Sequence, residues 1–267
     1  MACYFNQKKD RNGDVLFMSD GRILFERERE DMAKIIKLIF DRKNTNVAGG
    51  NFSFKVTDKM GKEFIIMTPT MMSEAYLGVV TPSQVLVVEP HTRKVIAGEG
   101  KLTREINLHE AVYDANTEIK AVLHAHAPNS MFWATSGLDM PNLTEATQKV
   151  EYIEVLPFEP NCSEELAELV SQHIKQNKLK VPHELLLNSH GVLINATGEN
   201  GMAAIHKALS ILDTVEWNAE IAYKQTLFQK LNLLDGYYSK GIKVGSLEDL
   251  MEGRPIWNQA VADNGGD

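Results

Sequence analysis

The chain has 267 residues, of which 43% are apolar and 24% charged, an ordinary composition for a soluble globular protein. Its formal net charge of -8 argues against a general nucleic-acid-binding protein, which normally presents a basic face. Cys3 and Cys162 are the two cysteines, and their wide separation predicts neither a disulfide framework nor a cysteine metal site. The first residues lack the apolar stretch of a signal peptide, and no charge-free run is apolar enough for a membrane span. We therefore expect a cytoplasmic protein that binds neither nucleic acid nor a membrane.

The first half of the chain alternates between helix and strand spacing of its apolar residues, which predicts mixed α and β structure. Residues 1–30 are predicted to form an irregular N-terminal extension with a small hairpin around Asn12 and Gly13. A first helix is predicted over 30–43. Pairs of short apolar segments then predict two hairpins, formed by 51–56 with 63–68 and by 85–90 with 94–98.

The second half continues this alternation and ends in the longest helical pattern of the chain. Helices are predicted at 103–115, 129–136, 163–177 and 199–228, and strands at 121–126, 154–158, 184–188 and 191–196. Residues 230–267 are expected to form a C-terminal arm whose end is mobile. Because we find no internal repeat and no linker, we expect a single α/β domain over 1–267.

Two histidines share one predicted strand. Side chains on a strand alternate between faces, so His124 and His126 point the same way and can converge on one ion. Zinc accepts such nitrogen ligands at about 2.0–2.1 Å, usually with three protein ligands and one open position in catalytic sites. Two ordinary histidines near the end of a sheet would give the same pattern, so this motif alone leaves both interpretations open.

A third histidine, His190, interrupts an apolar stretch at a sharp turn with Gly191. A polar imidazole in such surroundings is costly unless it has a partner, and a metal ion supplies one. A hydrogen-bonded core histidine is the alternative. His109 lies one helical turn after Glu105 and shares its helix face, so it either supports a neighbouring residue or is a plain helix histidine.

Glu105 opens the predicted helix that precedes the histidine strand. A carboxylate beside a metal ion can remove a proton from a carbon next to a polarised carbonyl, although a glutamate that only stabilises the helix start is common. The segment 48–51 offers glycines that let the backbone approach an anion, and it also fits a plain helix end and turn. Thr68 and Thr70 offer hydroxyls at the end of a strand.

Taken in order, these segments resemble the class II aldolase/adducin family. The resemblance runs from about residue 32 to 222 and rests on GGNFS at 49–53, TPT at 68–70, Glu105, HAH at 124–126 and SHG at 189–191. It implies a three-layer α/β/α sandwich around a largely antiparallel central sheet. Members of the family are commonly homotetramers, which implies a homo-oligomer here.

The resemblance also implies chemistry for these residues. It implies a zinc ion, or another divalent metal, on His124, His126 and His190, with Glu105 as general acid/base. By that analogy a ketose phosphate is cleaved to dihydroxyacetone phosphate and an aldehyde through a metal-stabilised enediolate. In the related 4-epimerases, the position that Glu105 resembles is occupied by Asp. By this resemblance, Glu105 favours an aldolase. Residues implied near the substrate phosphate are Gly50, Asn51, Thr70 and Thr103.

The chain departs from the pattern of the fuculose-phosphate aldolases at several positions. Met71 replaces a glycine, and Thr103 and Arg104 replace two serines. The guanidinium of Arg104 is able to bind either a phosphate or a carboxylate through two hydrogen bonds. The tyrosine expected from a neighbouring subunit has no clear match. Glu145 lies in that stretch and resembles the acid/base of methylthioribulose-1-phosphate dehydratases, which makes it a possible second acid/base. A dehydratase, an epimerase, a decarboxylase and a non-catalytic adducin-like interaction module therefore stay open beside an aldolase.

Overall fold

The computed structural model describes residues 24–47, 49–150 and 152–231. Most of the predicted N-terminal extension, the hairpin around Asn12 and the C-terminal arm lie outside these residues. The end of the predicted extension, from Glu26 onwards, is the beginning of the first helix. Among the described residues, no helix is both long and apolar enough to cross a membrane.

The elements follow the order predicted from the sequence. Five helices are described, α1 (Glu26–Asp41), α2 (Ile106–Ala115), α3 (Pro128–Ser136), α4 (Glu164–Asn177) and α5 (Gly201–Lys230). Eight strands are described, β1 (Gly50–Thr57), β2 (Glu63–Met67), β3 (Leu86–Glu89), β4 (Lys94–Ala97), β5 (Ala121–Ala125), β6 (Glu154–Leu156), β7 (His183–Leu187) and β8 (Gly191–Ala196). Short 3-10 helices lie at Pro82–Gln84 and Glu145–Val150.

The α2 boundary differs from the prediction. The helix begins at Ile106 rather than at residue 103, and Glu105 is its N-cap residue. The reason is that Leu102 pairs with Pro69 in an isolated β-bridge, which keeps the chain extended up to Thr103. Glu105 is therefore fixed at the point where an extended segment enters a helix.

All eight strands form one sheet in the order β4-β3-β2-β1-β5-β8-β7-β6. Every neighbouring pair is antiparallel except β6 with β7, so the prediction of a largely antiparallel central sheet is confirmed.

Alternating side chains build one apolar layer on each face of the sheet. Ala121, Leu123 and Ala125 of β5 belong to the layer that α1, α3 and α5 cover. Val122 belongs to the opposite layer, which α2 and α4 cover. The fold is therefore the expected three-layer α/β/α sandwich, and burial of apolar surface on both faces is its main source of stability.

The centre of the sheet brings together three strand ends. Asn51 of β1 lies opposite His124 of β5, and Gly191 begins β8 beside the end of β5. Residues in register on neighbouring strands project from the same face, so Asn51 and His124 both face the layer of α2. The candidate site lies at this end of the sheet.

Candidate active site

Three histidines meet at the end of the central strands. His124 is buried on β5, His126 lies two residues further along, and His190 lies in the turn between β7 and β8. Each offers one ring nitrogen, and the three nitrogens all lie within 4.8 Å of one another. The structure thus brings together the three residues for which the sequence predicts a metal site.

Hydrogen bonds fix the orientation of two of these rings. The Nδ1–H of His124 donates to the carbonyl oxygen of Val192 over 2.9 Å, and the Nδ1–H of His126 donates to Oδ1 of Asn46 over 3.0 Å. Burial lowers the pKa of His124 to about 3 and that of His126 to about 4, so both rings are neutral at neutral pH. Each ring therefore presents an unprotonated Nε2 to the cluster.

The two Nε2 atoms of His124 and His126 lie 3.1 Å apart. Two nitrogen lone pairs at this distance repel each other unless a cation lies between them. Ligand nitrogens at the corners of a tetrahedral zinc site are separated by about 3.3 Å. The donor set and its spacing therefore fit a divalent metal ion with imidazole ligands.

His190 completes the cluster from the other side. Its Nδ1 is buried with no hydrogen-bond partner among the described residues, and its Nε2 lies 3.2 Å from Oε1 of Glu105. A buried unpaired nitrogen is costly, and a metal ion is one partner that satisfies it.

Close packing at the position after His190 leaves no room for a side chain, and Gly191 occupies this position. A Cβ atom at this position would lie 2.6 Å from the carbonyl oxygen of Ala125 and 2.9 Å from ring atoms of both His124 and His126. Gly50 is constrained in the same way, because its φ is +108° and a Cβ would lie 2.4 Å from the carbonyl oxygen of His124. Close packing against β5 therefore accounts for both glycines.

Glu105 faces the cluster from the start of α2. Its Oε1 lies 3.2 Å from Nε2 of His190 and its Oε2 lies 3.8 Å from Nε2 of His124, while the amide of Asn51 donates a hydrogen bond to Oε2. Burial alone would raise the pKa of Glu105, but His124, His190 and Asn51 outweigh this effect and lower the pKa below its ordinary value. The carboxylate is therefore ionised at neutral pH.

The predicted substrate-binding residues lie along two adjacent segments. The N–H of Thr70 donates to the carbonyl oxygen of Lys101 over 2.8 Å, so the TPT segment lies beside the segment that leads to Glu105. Thr103 Oγ1 accepts the backbone N–H of Glu105, and Arg104 is exposed. The structure places the 68–70 and 101–104 segments side by side, and their binding of a phosphate stays a prediction.

Glu145 lies apart from this group. It is exposed at the start of the 3-10 helix Glu145–Val150, which packs against α5 and β7. In the part of the chain that the structure describes, Glu145 forms no hydrogen bond or ion pair with the three histidines. Its predicted role as a second acid/base stays a prediction.

Sequence reasoning missed several supporting residues. Asn46 orients His126, and the carboxylate of Glu216 on α5 accepts the backbone N–H groups of Asn129 and Ser130 over 2.6 and 2.9 Å. The contacts of Glu216 cap the N-terminus of α3, which begins just after His126. No short motif marks these residues, since their partners lie about 80 residues away in the sequence.

Comparisons with known proteins define the class of protein that this fold and site belong to. The family model of the class II aldolase and adducin N-terminal domain matches residues 30–223. The chain therefore belongs to the class II aldolase and adducin family, and the resemblance on which the sequence analysis rested is confirmed.

Individual members of the family are similar to this chain over part of its length. The chain is 30% identical over 171 residues to an L-fuculose phosphate aldolase of Methanococcus maripaludis, a match that covers 61% of this chain and 81% of the relative. It is 29% identical over 154 residues to a 3-oxo-tetronate 4-phosphate decarboxylase of Cupriavidus necator, covering 54% of this chain and 66% of the relative. The structure of L-fuculose-1-phosphate aldolase from Thermus thermophilus matches with a TM-score of 0.60 and 23% identity, covering 76% of this chain and 97% of that one, and shows a shared fold.

Proposed function

We propose that the chain is a metal-dependent aldolase, with zinc as its metal ion, that reversibly cleaves a ketose phosphate to dihydroxyacetone phosphate and an aldehyde. The observation that carries the proposal is the position of Glu105. Its buried carboxylate lies beside three histidines, each with a ring nitrogen within 4.8 Å of the others, and its Oε1 lies 3.2 Å from Nε2 of His190. A base and a metal site in contact are what proton transfer next to a carbonyl requires.

The roles of the chain's own residues follow from this arrangement. His124, His126 and His190 would hold the ion, which when bound acts as a Lewis acid on the substrate oxygens. As the C3–C4 bond breaks, its electron pair would stay with C3, and the C4 hydroxyl would give its proton to the Glu105 carboxylate and become the aldehyde. Glu105 delivers a proton to C3 and removes it again in the reverse reaction.

Substrate binding is assigned to the segments that border Glu105. Gly50, Asn51, Thr70 and Thr103 would bind the phosphate, and the exposed Arg104 would add a charged contact at the rim. The assignment is supported by the adjacency of the 68–70 and 101–104 segments. Following the family resemblance, we also expect a homotetramer.

A decarboxylase is the second candidate, because one relative is named for that activity. A guanidinium such as that of Arg104 binds a carboxylate as well as a phosphate, so a 3-oxo acid phosphate would fit the same site. The released product separates the two reactions, since only the aldolase yields an aldehyde together with dihydroxyacetone phosphate.

The proposal is tested with a substrate panel and matched variants. Purified protein loaded with zinc is incubated with L-fuculose 1-phosphate, other ketose 1-phosphates, their unphosphorylated forms and 3-oxo-tetronate 4-phosphate. We expect dihydroxyacetone phosphate to be released from a ketose 1-phosphate, to cease on chelation and to return with zinc. Glu105→Gln should retain the metal while turnover falls by about 10²–10⁴-fold, and the exposed Glu118→Gln should behave like the wild type.

Other outcomes have distinct meanings. Release of carbon dioxide from the 3-oxo acid without any aldehyde would favour the decarboxylase. Unchanged turnover in Glu105→Gln would remove Glu105 from its role and direct attention to Glu145→Gln. Absence of stoichiometric metal, with added zinc bound no tighter than by a His190→Ala variant, would favour the interaction module.

A further inference from the structure

A chain of buried hydrogen bonds leads from Glu105 away from the metal cluster. It passes from Glu105 to Asn51, then to His109, Ser53 and Tyr113. The last three links join Asn51 Oδ1 to His109 Nε2 over 2.6 Å, His109 Nδ1 to Ser53 Oγ over 2.7 Å, and Ser53 Oγ to the Tyr113 hydroxyl over 2.7 Å. All five residues are buried. We call this set the buried chain.

The repeats of the two elements explain why the buried chain can form. Glu105, His109 and Tyr113 are spaced by four residues and lie on one face at the start and along the length of α2. Asn51 and Ser53 are two residues apart and face the same side of β1. Four residues of a helix rise by about 6.0 Å and two residues of a strand by about 6.6 Å. Because these two distances are similar, the hydrogen bonds of the buried chain pass alternately between α2 and β1.

Chemistry fixes the direction of every hydrogen bond in the buried chain. A carboxylate only accepts, so the Asn51 amide must turn its NH₂ group to Glu105 and its oxygen to His109. His109 must then donate from Nε2, and because burial lowers its pKa to about 3 the ring is neutral and its Nδ1 only accepts. Ser53 therefore donates to Nδ1 of His109 and accepts a hydrogen bond from the Tyr113 hydroxyl.

We propose that His109 is a positioning residue for the reaction, which holds the Asn51 amide in the one orientation that supports the Glu105 carboxylate. Ser53 and Tyr113 in turn hold His109 in the tautomer that this requires. The inference rests on the proposed role of Glu105. The buried chain is not a proton relay, because an amide group does not pass a proton from one neighbour to the next.

Loss of the His109 donor has a specific consequence. The Asn51 oxygen would be left buried and unpaired, which favours a shift of the amide toward another donor and away from the Glu105 carboxylate. The carboxylate then loses the hydrogen bond from the Asn51 amide and moves from its position beside His190. The Lys55 amino group lies 5.3 Å from the centre of the Tyr113 ring, at the far end of the buried chain and away from the metal cluster.

The test compares zinc-loaded His109→Leu, His109→Gln and Tyr113→Phe with the wild type. Leu removes the donor, whereas the Gln amide keeps a donor near the position of Nε2. We expect kcat of His109→Leu to fall by roughly 10–100-fold with KM and zinc content unchanged, and His109→Gln to recover most of it. Tyr113→Phe, which removes only the last link, should lose about threefold or less. Equal loss in the Leu and Gln variants would contradict the proposal and indicate a packing role.

Two readouts do not depend on activity, so they separate failure of this inference from failure of the proposed function. Nitrogen-15 NMR of the wild-type imidazoles should show His109 neutral and protonated on Nε2 at about pH 7.5, and a proton on Nδ1 would overturn the inference without any variant. Crystal structures should show the Glu105 carboxylate displaced in His109→Leu and in place in His109→Gln. An unmoved carboxylate in His109→Leu would also overturn it, even if no substrate were turned over.

Discussion

Gly191 illustrates how a residue without a side chain controls the candidate metal site. The rings of His124 and His126 have centroids 4.9 Å apart, and the backbone of Gly191 lies against them. Any added carbon would lie within 3 Å of ring atoms of His124 and His126. The spacing of the ligands is therefore set by backbone packing as well as by the imidazoles themselves.

We predict that Gly191→Ala weakens zinc binding by about 10–100-fold, because the new methyl group displaces the ligand rings. Competition against a chromogenic chelator measures the affinity. Ser189→Gly is the matched control, since it changes the neighbouring turn residue without adding an atom and relieves a φ of 56°. Wild-type affinity in Gly191→Ala would show that the cluster does not depend on this contact.

The burial of Glu184 lowers the stability of the folded state. Both of its carboxyl oxygens are buried without a hydrogen-bond partner among the described residues. Burial, and then the nearby Glu216, raise the pKa of Glu184 well above its ordinary value. The folded state thus keeps a proton that the unfolded chain loses above about pH 4.5, so this group lowers stability as pH rises.

We predict that Glu184→Leu stabilises the fold by about 1–3 kcal/mol at about pH 7.5, because it removes the unpaired polar group. The gain should be smaller at about pH 4.5, where the unfolded chain also holds its proton. Urea unfolding at the two pH values measures the effect, with the exposed Glu199→Gln as a control. Destabilisation at the higher pH would mean that the carboxyl group has a partner.

At the scale of elements, α3 depends on a residue from another helix. Its N-cap residue, Ala127, makes no side-chain cap, and the carboxylate of Glu216 on α5 takes that place through Asn129 and Ser130. A negative charge at the N-terminus of a helix is also favoured by the helix dipole. The start of α3 follows His126 by two residues, so this contact supports a proposed metal ligand.

We predict that Glu216→Gln lowers stability by about 1–3 kcal/mol, because hydrogen bonds to a charged group are lost. It should also weaken zinc binding through movement of His126. Thermal unfolding and zinc titration measure the two effects. Glu220→Gln, one turn further along α5 at an exposed position, should change neither. If stability fell while zinc affinity stayed unchanged, zinc binding would not depend on the contact between Glu216 and α3.

At the scale of the whole molecule, buried neutral histidines make stability depend on pH. Burial lowers the pKa of His183 to about 4, against about 6.5 in the unfolded chain. Its Nδ1–H donates to the Lys180 carbonyl oxygen and its Nε2 accepts from Asn195. Between these two pKa values the unfolded chain binds a proton that the folded state does not, so stability is lost as pH falls from about 6.5 to about 4.

We predict that metal-free protein loses up to about 1.4 kcal/mol of stability per pH unit for each such histidine across this range. Urea unfolding between about pH 4.5 and 8 measures the slope. His183→Gln should have a smaller slope than the wild type below about pH 6.5 and the same slope above it. Equal slopes throughout would show that His183 is protonated in the folded state.

Much of the fold could be predicted from the sequence because its signals are local. Strand alternation placed His124 and His126 on one face, and apolar periodicity located the five helices and eight strands. The boundary of α2 was wrong because Leu102 pairs with Pro69, which lies 33 residues earlier in the chain. Spacing alone could not place His190, whose approach depends on the β5–β8 pairing.

The supporting residues of the site were less predictable. The four-residue spacing of Glu105 and His109 was visible, but the Asn51 side chain that joins them lies 54 residues before Glu105. The same holds for Asn46 and Glu216, whose contacts exist only once the layers have packed. Long-range pairing of polar groups leaves no periodic signal in a single sequence.

The proposed mechanism requires that His124, His126 and His190 hold a divalent ion beside Glu105. Anomalous X-ray diffraction at the zinc edge, on crystals grown with equimolar zinc, tests it most directly. We expect one peak per chain, about 2.0–2.1 Å from one nitrogen of each histidine. A peak elsewhere, or one that persists in His190→Ala as strongly as in a His91→Asn control, would contradict it.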